Sequence, residues 1–342
     1  MKRVRFGQTG LCVSSIAFGG IPIQRLGTND AVRVVRRAID LGINFIDTAN
    51  GYSDSEEKIG LAMKGVPRDE LVIASKSGAR DKKTFMEHLE LSLRRLGVDT
   101  IDLYQLHGVS SVETYQAVFA DGGAYEGLVE AVRAGKVRFP AFSSHNIPVA
   151  LRMIREGKFA AVQLPFNYVD DEALKEAIPL AKERDMGFIA MKPFGGGLLH
   201  NAQRCIRYLA QFDSIVPDPG IETVPEIEEI VHLAESGIPI TDEDRAAIER
   251  ERVELGSHWC LRCDYCQPCP HNINISMVLT SESFIKRMPY ARVVAMAAQV
   301  METARTCAEC HACEARCPYH LRIPALLKEK LANWDRYTAN KA

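Results

Sequence analysis

The sequence predicts an α/β fold: a (β/α)8 TIM barrel behind a short N-terminal hairpin, followed by a small, mostly helical domain. Three observations carry that reading. Apolar runs alternate with amphipathic stretches of helical spacing over roughly 230 residues, which favours a closed parallel sheet wrapped by helices. Polar groups capable of proton chemistry recur just past the ends of those runs. Eight of the ten cysteines then crowd into two short stretches, after the alternation has stopped. An open doubly wound sheet is the competing arrangement. It lacks support because Gly19-Gly20 stands where a G-x-G-x-x-G would be needed.

Length and composition bound the rest. A chain of 342 residues suits one barrel-sized domain and an appendage, and 46% hydrophobic content supplies a core. A net charge of -2 argues against nucleic acid or an acidic membrane surface as partner. No window reaches the ~18 apolar residues of a membrane span. Gly7, Gln8, Thr9 and Gly10 occupy the place of a signal peptide's apolar region. The expected location is cytoplasmic, where crowded cysteines read as metal or cluster ligands rather than disulfides.

Taken in order, Val4–Phe6 and Cys12–Val13 flank a Gly-rich turn and read as the hairpin. Strands follow at Ser15–Phe18, Ile43–Ile46, Leu71–Ser75, Ile101–Leu106, Val137–Phe142, Ala161–Leu164, Gly187–Met191 and Ile215–Val216. Between them, helices are expected at Asn29–Leu41, Ser55–Met63, Thr84–Leu96, Gly127–Ala134, Pro148–Glu156, Asp171–Arg184, Ala202–Gln211 and Val224–Ala234. In the first of these, Ala31, Val34, Val35, Ala38 and Leu41 share one face. Thr241–Leu255 is a charged helix whose Thr start suits a capping box. The implied domains are a barrel over 1–238, a helical connector over 239–256, a cysteine domain over 257–325, and a closing helix and tail over 326–342. Arg322–Leu331 is that closing helix, and the polar tail after Trp334 is expected to fray. Ile275–Thr303 reads as a helix pair packed over the cysteines.

Four strand-end groups converge if the barrel closes. Asp47 ends the run at Phe45–Ile46, Tyr52 lies in the loop beyond, Lys76 follows Leu71–Ser75, and His107 follows Ile101–Leu106. Neighbouring strands bring these to the face where barrel active sites are built. A phenol titrates near ~10, and a lysine cation close to it favours the phenolate. Asp47 would keep Lys76 charged and oriented, and His107 could hydrogen-bond a carbonyl. The set suits protonation of a carbonyl oxygen as hydride reaches its carbon, or the reverse.

The runs F-I-D-T-A-x2-Y-S-x-S-E, L-V-I-A-S-K and L-Y-Q-L-H resemble the aldo-keto reductase family over roughly residues 2–235. That resemblance implies a barrel, an NAD or NADP cofactor, a small carbonyl or alcohol substrate, and Tyr52 as general acid/base. It implies that Ser143, Ser144 and Gln163 hold the nicotinamide carboxamide, with Ser144 standing where the family has Asn. Met191 takes the place of the aromatic that stacks on the ring, and Lys192, Pro217 and Gly220 fall in the cofactor-binding stretches. The residues that usually grip a 2'-phosphate are missing from Pro217–Glu229, where Asp218 and Glu222 stand instead. Their charge would repel such a phosphate, which favours NAD. The phosphate region of the last βα loops could also accept a flavin.

The cysteines form Cys260-x2-Cys263-x2-Cys266-x2-Cys269-Pro and Cys307-x2-Cys310-x2-Cys313-x3-Cys317-Pro. The second matches the run of bacterial two-cluster ferredoxins, and the first is one residue short. This stretch resembles a ferredoxin-type dicluster module. The resemblance implies two [4Fe–4S] centres in a crossed pattern. Cys260, Cys263 and Cys266 would share one with Cys317, and Cys307, Cys310 and Cys313 the other with Cys269. Paired C-x2-C motifs also bind zinc, and Cys307–His311 spells a c-type haem attachment signature, so both remain alternatives. Cys12 and Cys205 stand apart and read as buried thiols. The whole implies an oxidoreductase carrying an electron-transfer module, whose clusters either serve a redox partner protein or only brace the barrel face and shape the substrate pocket. The alternative from another class is a redox-sensing or electron-transfer subunit whose barrel binds NAD(P) without turnover. Substrate identity and oligomeric state are not legible.

Overall fold

The computed structural model describes residues 1–256 and 258–339, in two compact units divided between Ile240 and Thr241. In the first unit, β1 (Arg3–Arg5) and β2 (Cys12–Ser14) pair antiparallel. Cys12 is exposed rather than buried, because the pleat turns it outward while Val13 faces in. Cys205 is buried as expected.

Eight parallel strands follow: β3 (Phe18–Gly19), β4 (Phe45–Asp47), β5 (Val72–Ser77), β6 (Ile101–Leu106), β7 (Val137–Ser143), β8 (Ala161–Pro165), β9 (Gly187–Met191) and β10 (Ile215–Asp218). Each pairs with its neighbour in chain order. A parallel bridge between Gly19 and Gly220 meets the last strand with the first, and Ala17 N–H donates to Pro217 O at 2.8 Å. The barrel is closed.

The helices of this unit are α1 (Thr28–Asp40), α2 (Ser55–Met63), α3 (Lys82–Leu96), α4 (Val112–Phe119), α5 (Ala124–Arg133), α6 (Ile147–Arg155), α7 (Ala177–Glu183), α8 (Ala202–Leu209) and α9 (Val224–Ser236). The expected helix over Asp171–Arg184 divides into a single turn, Glu172–Leu174, and α7. Pro179 explains the break: it lacks an N–H and fits best in the first turn of a helix, so α7 starts just before it. Helix α4 was not expected.

Inside the barrel the pleat sorts side chains in layers. Phe45, Ala74, Leu103, Ala141, Ala161, Ile189 and Val216 belong to one buried cluster with Phe6, Leu11 and Val13 of the hairpin region. Two residues further along each strand come Asp47, Lys76, Gln105, Ser143, Gln163, Met191 and Asp218. Period two therefore sets one polar layer directly above an apolar one, at the C-terminal ends of the strands.

The second unit holds α10 (Asp242–Gly256), α11 (Ile275–Leu279), α12 (Ser281–Arg287), α13 (Tyr290–Ala304), α14 (Ala312–Arg316) and α15 (Ile323–Ala339). Helix α10, expected as a connector, groups with this unit. Thr241 and Asp244 cap it reciprocally, at 3.1 and 3.2 Å. The expected fray after Trp334 does not occur before Ala339: Trp334 is buried and its ring meets that of Tyr337, which packs on Tyr290. The end of the expected tail, residues 340–342, lies outside the described residues. Three helices rather than two fill 275–304, with Val293, Ala297 and Met301 of α13 in the core. No helix among the described residues is long and apolar enough to cross a membrane.

Candidate functional site

The loop after β4 is tied to the end of the neighbouring strand β5 by backbone bonds. Thr48 N–H donates to Ala74 O and Asn50 N–H to Lys76 O, both at 2.9 Å, and Tyr52 N–H closes a turn on Ala49 O. This carries Tyr52 over the end of β5. Lys76 Nζ donates to Asp47 Oδ2 at 2.5 Å and to Thr48 O at 2.7 Å, with Asp47 and Lys76 each only 2% exposed. The ammonium lies 5.1 Å from the centroid of the Tyr52 ring. That ring meets His107 edge-on, at 5.8 Å between centroids. The four expected groups are thus together.

Their charge states follow from the surroundings. Burial alone would push the Lys76 ammonium down, but Asp47, Tyr52 and Asp218 outweigh it and hold it above its ordinary value. Burial, then the charges of Lys76 and Arg80, push the His107 imidazole down to about 3. His107 is therefore a neutral ring at any physiological pH, able to donate one N–H without carrying charge.

Two residues of the polar layer were not expected there. Gln105 Nε2 donates to Asp47 Oδ1 at 3.4 Å. Asp218 is buried, and its Oδ2 accepts from Gln163 Nε2 at 2.8 Å, while the same nitrogen reaches Asp47 Oδ2 at 3.3 Å. The expectation that Asp218 would face a 2'-phosphate is thereby corrected: the pleat of β10 turns its carboxyl into the barrel. Glu222, the other acid in that argument, sits 3.5 Å from Arg25. The signal for Asp218 was present in the sequence, since Ile215–Pro217 ends on an acid just as Phe45–Ile46 ends on Asp47.

The expected cofactor contacts can be tested for fit. Ser143 and Gln163 face each other in register on β7 and β8. Ser143 Oγ accepts from Gly108 N–H at 3.0 Å, which leaves its hydroxyl hydrogen to donate. Gln163 Oε1 is buried and accepts no hydrogen bond among the described residues. One donor beside one acceptor is the complement of a primary carboxamide, so this pair fits a nicotinamide. Ser144 fits less well: its Oγ donates to Asn146 O and accepts from Asn146 N–H, both at 3.1 Å. Met191 lies half-buried at the end of β9, in register with Asp218, and Lys192 follows it with a left-handed φ of 58°. Pro217 is a strand residue and Gly220 is exposed at the closing bridge.

In the second unit the two cysteine runs trace the same path. Arg262 and Asp264 of the first have φ of 61° and 59°, and Glu309 and His311, at the same places in the second, have 52° and 57°. Left-handed residues on either side of the middle cysteine give the two runs the same curl. Cys269, Cys307, Cys310 and Cys313 line one cavity. Cys260, Cys263 and Cys266 act on one another electrostatically, and Cys317 acts on Cys263. Arg316 joins the runs, donating to the carbonyls of Cys266 and Pro268 at 2.8 Å. Among the described residues no three His, Cys, Asp or Glu side chains converge closely enough for a single ion. A cubane asks for wider spacing, because each thiolate binds its own iron.

Comparison with known proteins places both units. The model of the aldo/keto reductase family matches residues 15–235. The chain belongs to that family. A 4Fe–4S dicluster domain model matches residues 259–322, so this aldo/keto reductase carries an iron–sulfur type domain at its C-terminal side. It is 30% identical over 212 residues to L-galactose dehydrogenase of Arabidopsis thaliana, covering 56% of this chain and 65% of that protein. It is 29% identical over 215 residues to an uncharacterized oxidoreductase of Bacillus subtilis (strain 168), covering 58% and 67%. The chain spans about two thirds of the length of these curated relatives. An aldo-keto reductase from Bacillus halodurans, solved in a holo form, superposes with a TM-score of 0.62 at 23% identity, over 73% of this chain and 96% of that one. One from Klebsiella pneumoniae, solved in complex with NADPH, gives 0.62 at 22%, over 73% and 95%. These two likenesses show the barrel fold.

Proposed function

We propose that the chain is a nicotinamide-dependent oxidoreductase that interconverts a small carbonyl compound and its alcohol, with Tyr52 as general acid/base. The observation that carries this reading is the meeting of Tyr52, Lys76, Asp47 and His107 at the C-terminal ends of β4 to β6. A bound nicotinamide would supply the hydride. Tyr52 gives its proton to the substrate oxygen in reduction and takes it back in oxidation. The adjacent Lys76 cation favours the phenolate this leaves, and Asp47 holds Lys76 in place. Neutral His107 donates to the same oxygen and fixes its direction. Ser143 and Gln163 bind the carboxamide; Ser144, spent on Asn146, shapes the loop. With Asp218 turned inward, the preference for NAD over NADP rests on Glu222 alone, and Arg25 offsets that charge.

The cysteines hold two [4Fe–4S] clusters, one on Cys260, Cys263, Cys266 and Cys317, the other on Cys269, Cys307, Cys310 and Cys313. Support comes from the matching curl of the two runs and from the common cavity of the second set. Clusters move single electrons and nicotinamide a pair, so the module serves a separate redox partner protein. In an anaerobic preparation, Tyr52→Phe should abolish oxidation of NADH or NADPH by a panel of aldehydes and ketones while leaving nucleotide binding intact. Turnover that survives this change would assign the proton to another group. Iron and sulfide should each approach about eight per chain, by ligand count for two cubanes.

A further inference from the structure

Asp218 is a buried acid that the four-residue mechanism does not use. It ends β10 beside the seam that closes the barrel, and the seam is built around it. A Cβ on Gly19 would lie 2.7 Å from Asp218 Oδ1 and 2.6 Å from Pro219 O, so no larger residue fits opposite. Its Oδ2 and the Oδ2 of Asp47 lie on the same nitrogen, Gln163 Nε2, at 2.8 and 3.3 Å. Asp218 Oδ1 and Gln163 Oε1 are both buried and without a hydrogen-bond partner among the described residues. The titratable groups facing Asp218 are Asp47 on β4 and Lys76 on β5, and Tyr52 acts on Lys76 from above.

The charges in this pocket do not balance if both acids are ionised. With Asp47 and Lys76 as the charges acting on Asp218, two ionised carboxylates and one ammonium would leave an uncompensated negative charge among buried side chains, which is costly. One proton between the two carboxyls removes it. The amide of Gln163 is then fixed as well. Its NH2 is held by the carboxyl pair, so its oxygen must point the other way, toward the place where Ser143 offers its hydroxyl.

We infer that Asp218 is a positioning residue that shares one proton with Asp47 and, through Gln163, aims the acceptor that receives a nicotinamide carboxamide. This rests on the nicotinamide reading above. The burial of Asp218 and the nearness of Asp47 raise its carboxyl well above the ordinary range, against the opposing effect of Lys76 and Gln163.

Two substitutions separate the possibilities. Asp218→Asn reproduces the neutral acid, with an oxygen to accept from Gln163 and an amide to donate to Asp47. Asp218→Ala removes both and frees the Gln163 amide to turn. In the protein without nucleotide, difference infrared spectra should show a protonated-carboxyl band at neutral pH that Asp218→Asn abolishes. Titrated with NADH and NADPH by fluorescence, Asp218→Ala should bind about tenfold more weakly, as for one misplaced hydrogen bond, and Asp218→Asn should restore affinity. Wild-type affinity should fall as alkaline pH removes the shared proton, and Asp218→Asn should not follow it. A band unchanged by Asp218→Asn overturns the shared proton. Wild-type affinity in Asp218→Ala overturns the positioning role. Failure of the wild type to bind either nucleotide overturns the nicotinamide reading and the positioning role with it, while the band still decides the proton.

Discussion

His107 meets the edge of the Tyr52 ring and feels the charges of Lys76 and Arg80. Burial first, then those two cations, hold its imidazole down to about 3, whereas a histidine in the unfolded chain titrates near ~6.5. Between those limits the unfolded chain binds a proton that the folded barrel refuses. Stability is therefore fully present above about 6.5 and is lost as pH falls from there toward about 3. His107→Gln carries no titratable ring, so its denaturant midpoint should fall less steeply over that interval than the wild type's. Superimposable pH curves would mean that the ring is not held neutral by its neighbours. The four residues of this cluster were legible because each ends or follows an apolar run, a pattern with a geometric meaning in a barrel. Asp218 and Gln105 were not read there, although they stand two residues beyond Val216 and Leu103 as Lys76 stands beyond Ala74. The period-two rule would have found both. What hid Asp218 was its place before Pro219-Gly220, which reads as loop.

At the scale of the element, the hairpin region does more than begin the chain. Phe6, just past β1, packs edge-on against Phe45 at 5.3 Å and closes the apolar end of the barrel. It fits only because β9 opens with glycine: a Cβ on Gly187 would lie 2.2 Å from Phe6 Cε1. Gly187→Ala should push the ring aside at a cost of about 1–3 kcal/mol, the usual penalty of overpacking. Phe6→Leu in the same chain should recover part of that loss. Denaturant midpoints of the two single changes and the double would test the coupling, and strict additivity would show that the two residues do not compete for space. The sequence supplied the hairpin but not this partnership, since nothing local links residue 6 to residue 187. Helix α4 was missed for a different reason. Only Tyr115 and Val118 are buried along it and Val112 is exposed, so its apolar residues draw no clear face. Its start is set by Ser111 and Thr114 capping one another, a box with Thr in place of the usual Glu or Gln.

At the scale of the molecule, the two units are stabilised by different means. The barrel has a closed parallel sheet with an apolar layer beneath its polar one, so the backbone groups of its strands pair with one another without any bound group. In the second unit, Cys266, Cys313 and Cys317 are buried within the apolar cluster itself. The stretches that carry the cysteines contain little regular structure beyond the five residues of α14. Bonds from those thiolates to iron would supply folding free energy that the backbone there does not. The structural boundary lies at Ile240, and the helix expected as a connector over 239–256 groups with the smaller unit, because a polar helix gives no compositional sign of which unit it joins. Two cooperative transitions are therefore expected from the iron-loaded protein. Anaerobic removal of iron with a chelator should abolish the one that belongs to the smaller unit and leave the barrel's midpoint and its nucleotide binding in place. Cys317→Ser should lower iron content by about half rather than wholly, since it removes one ligand from one cluster of two. If chelation instead moves a single transition that includes the barrel, the two units do not fold independently.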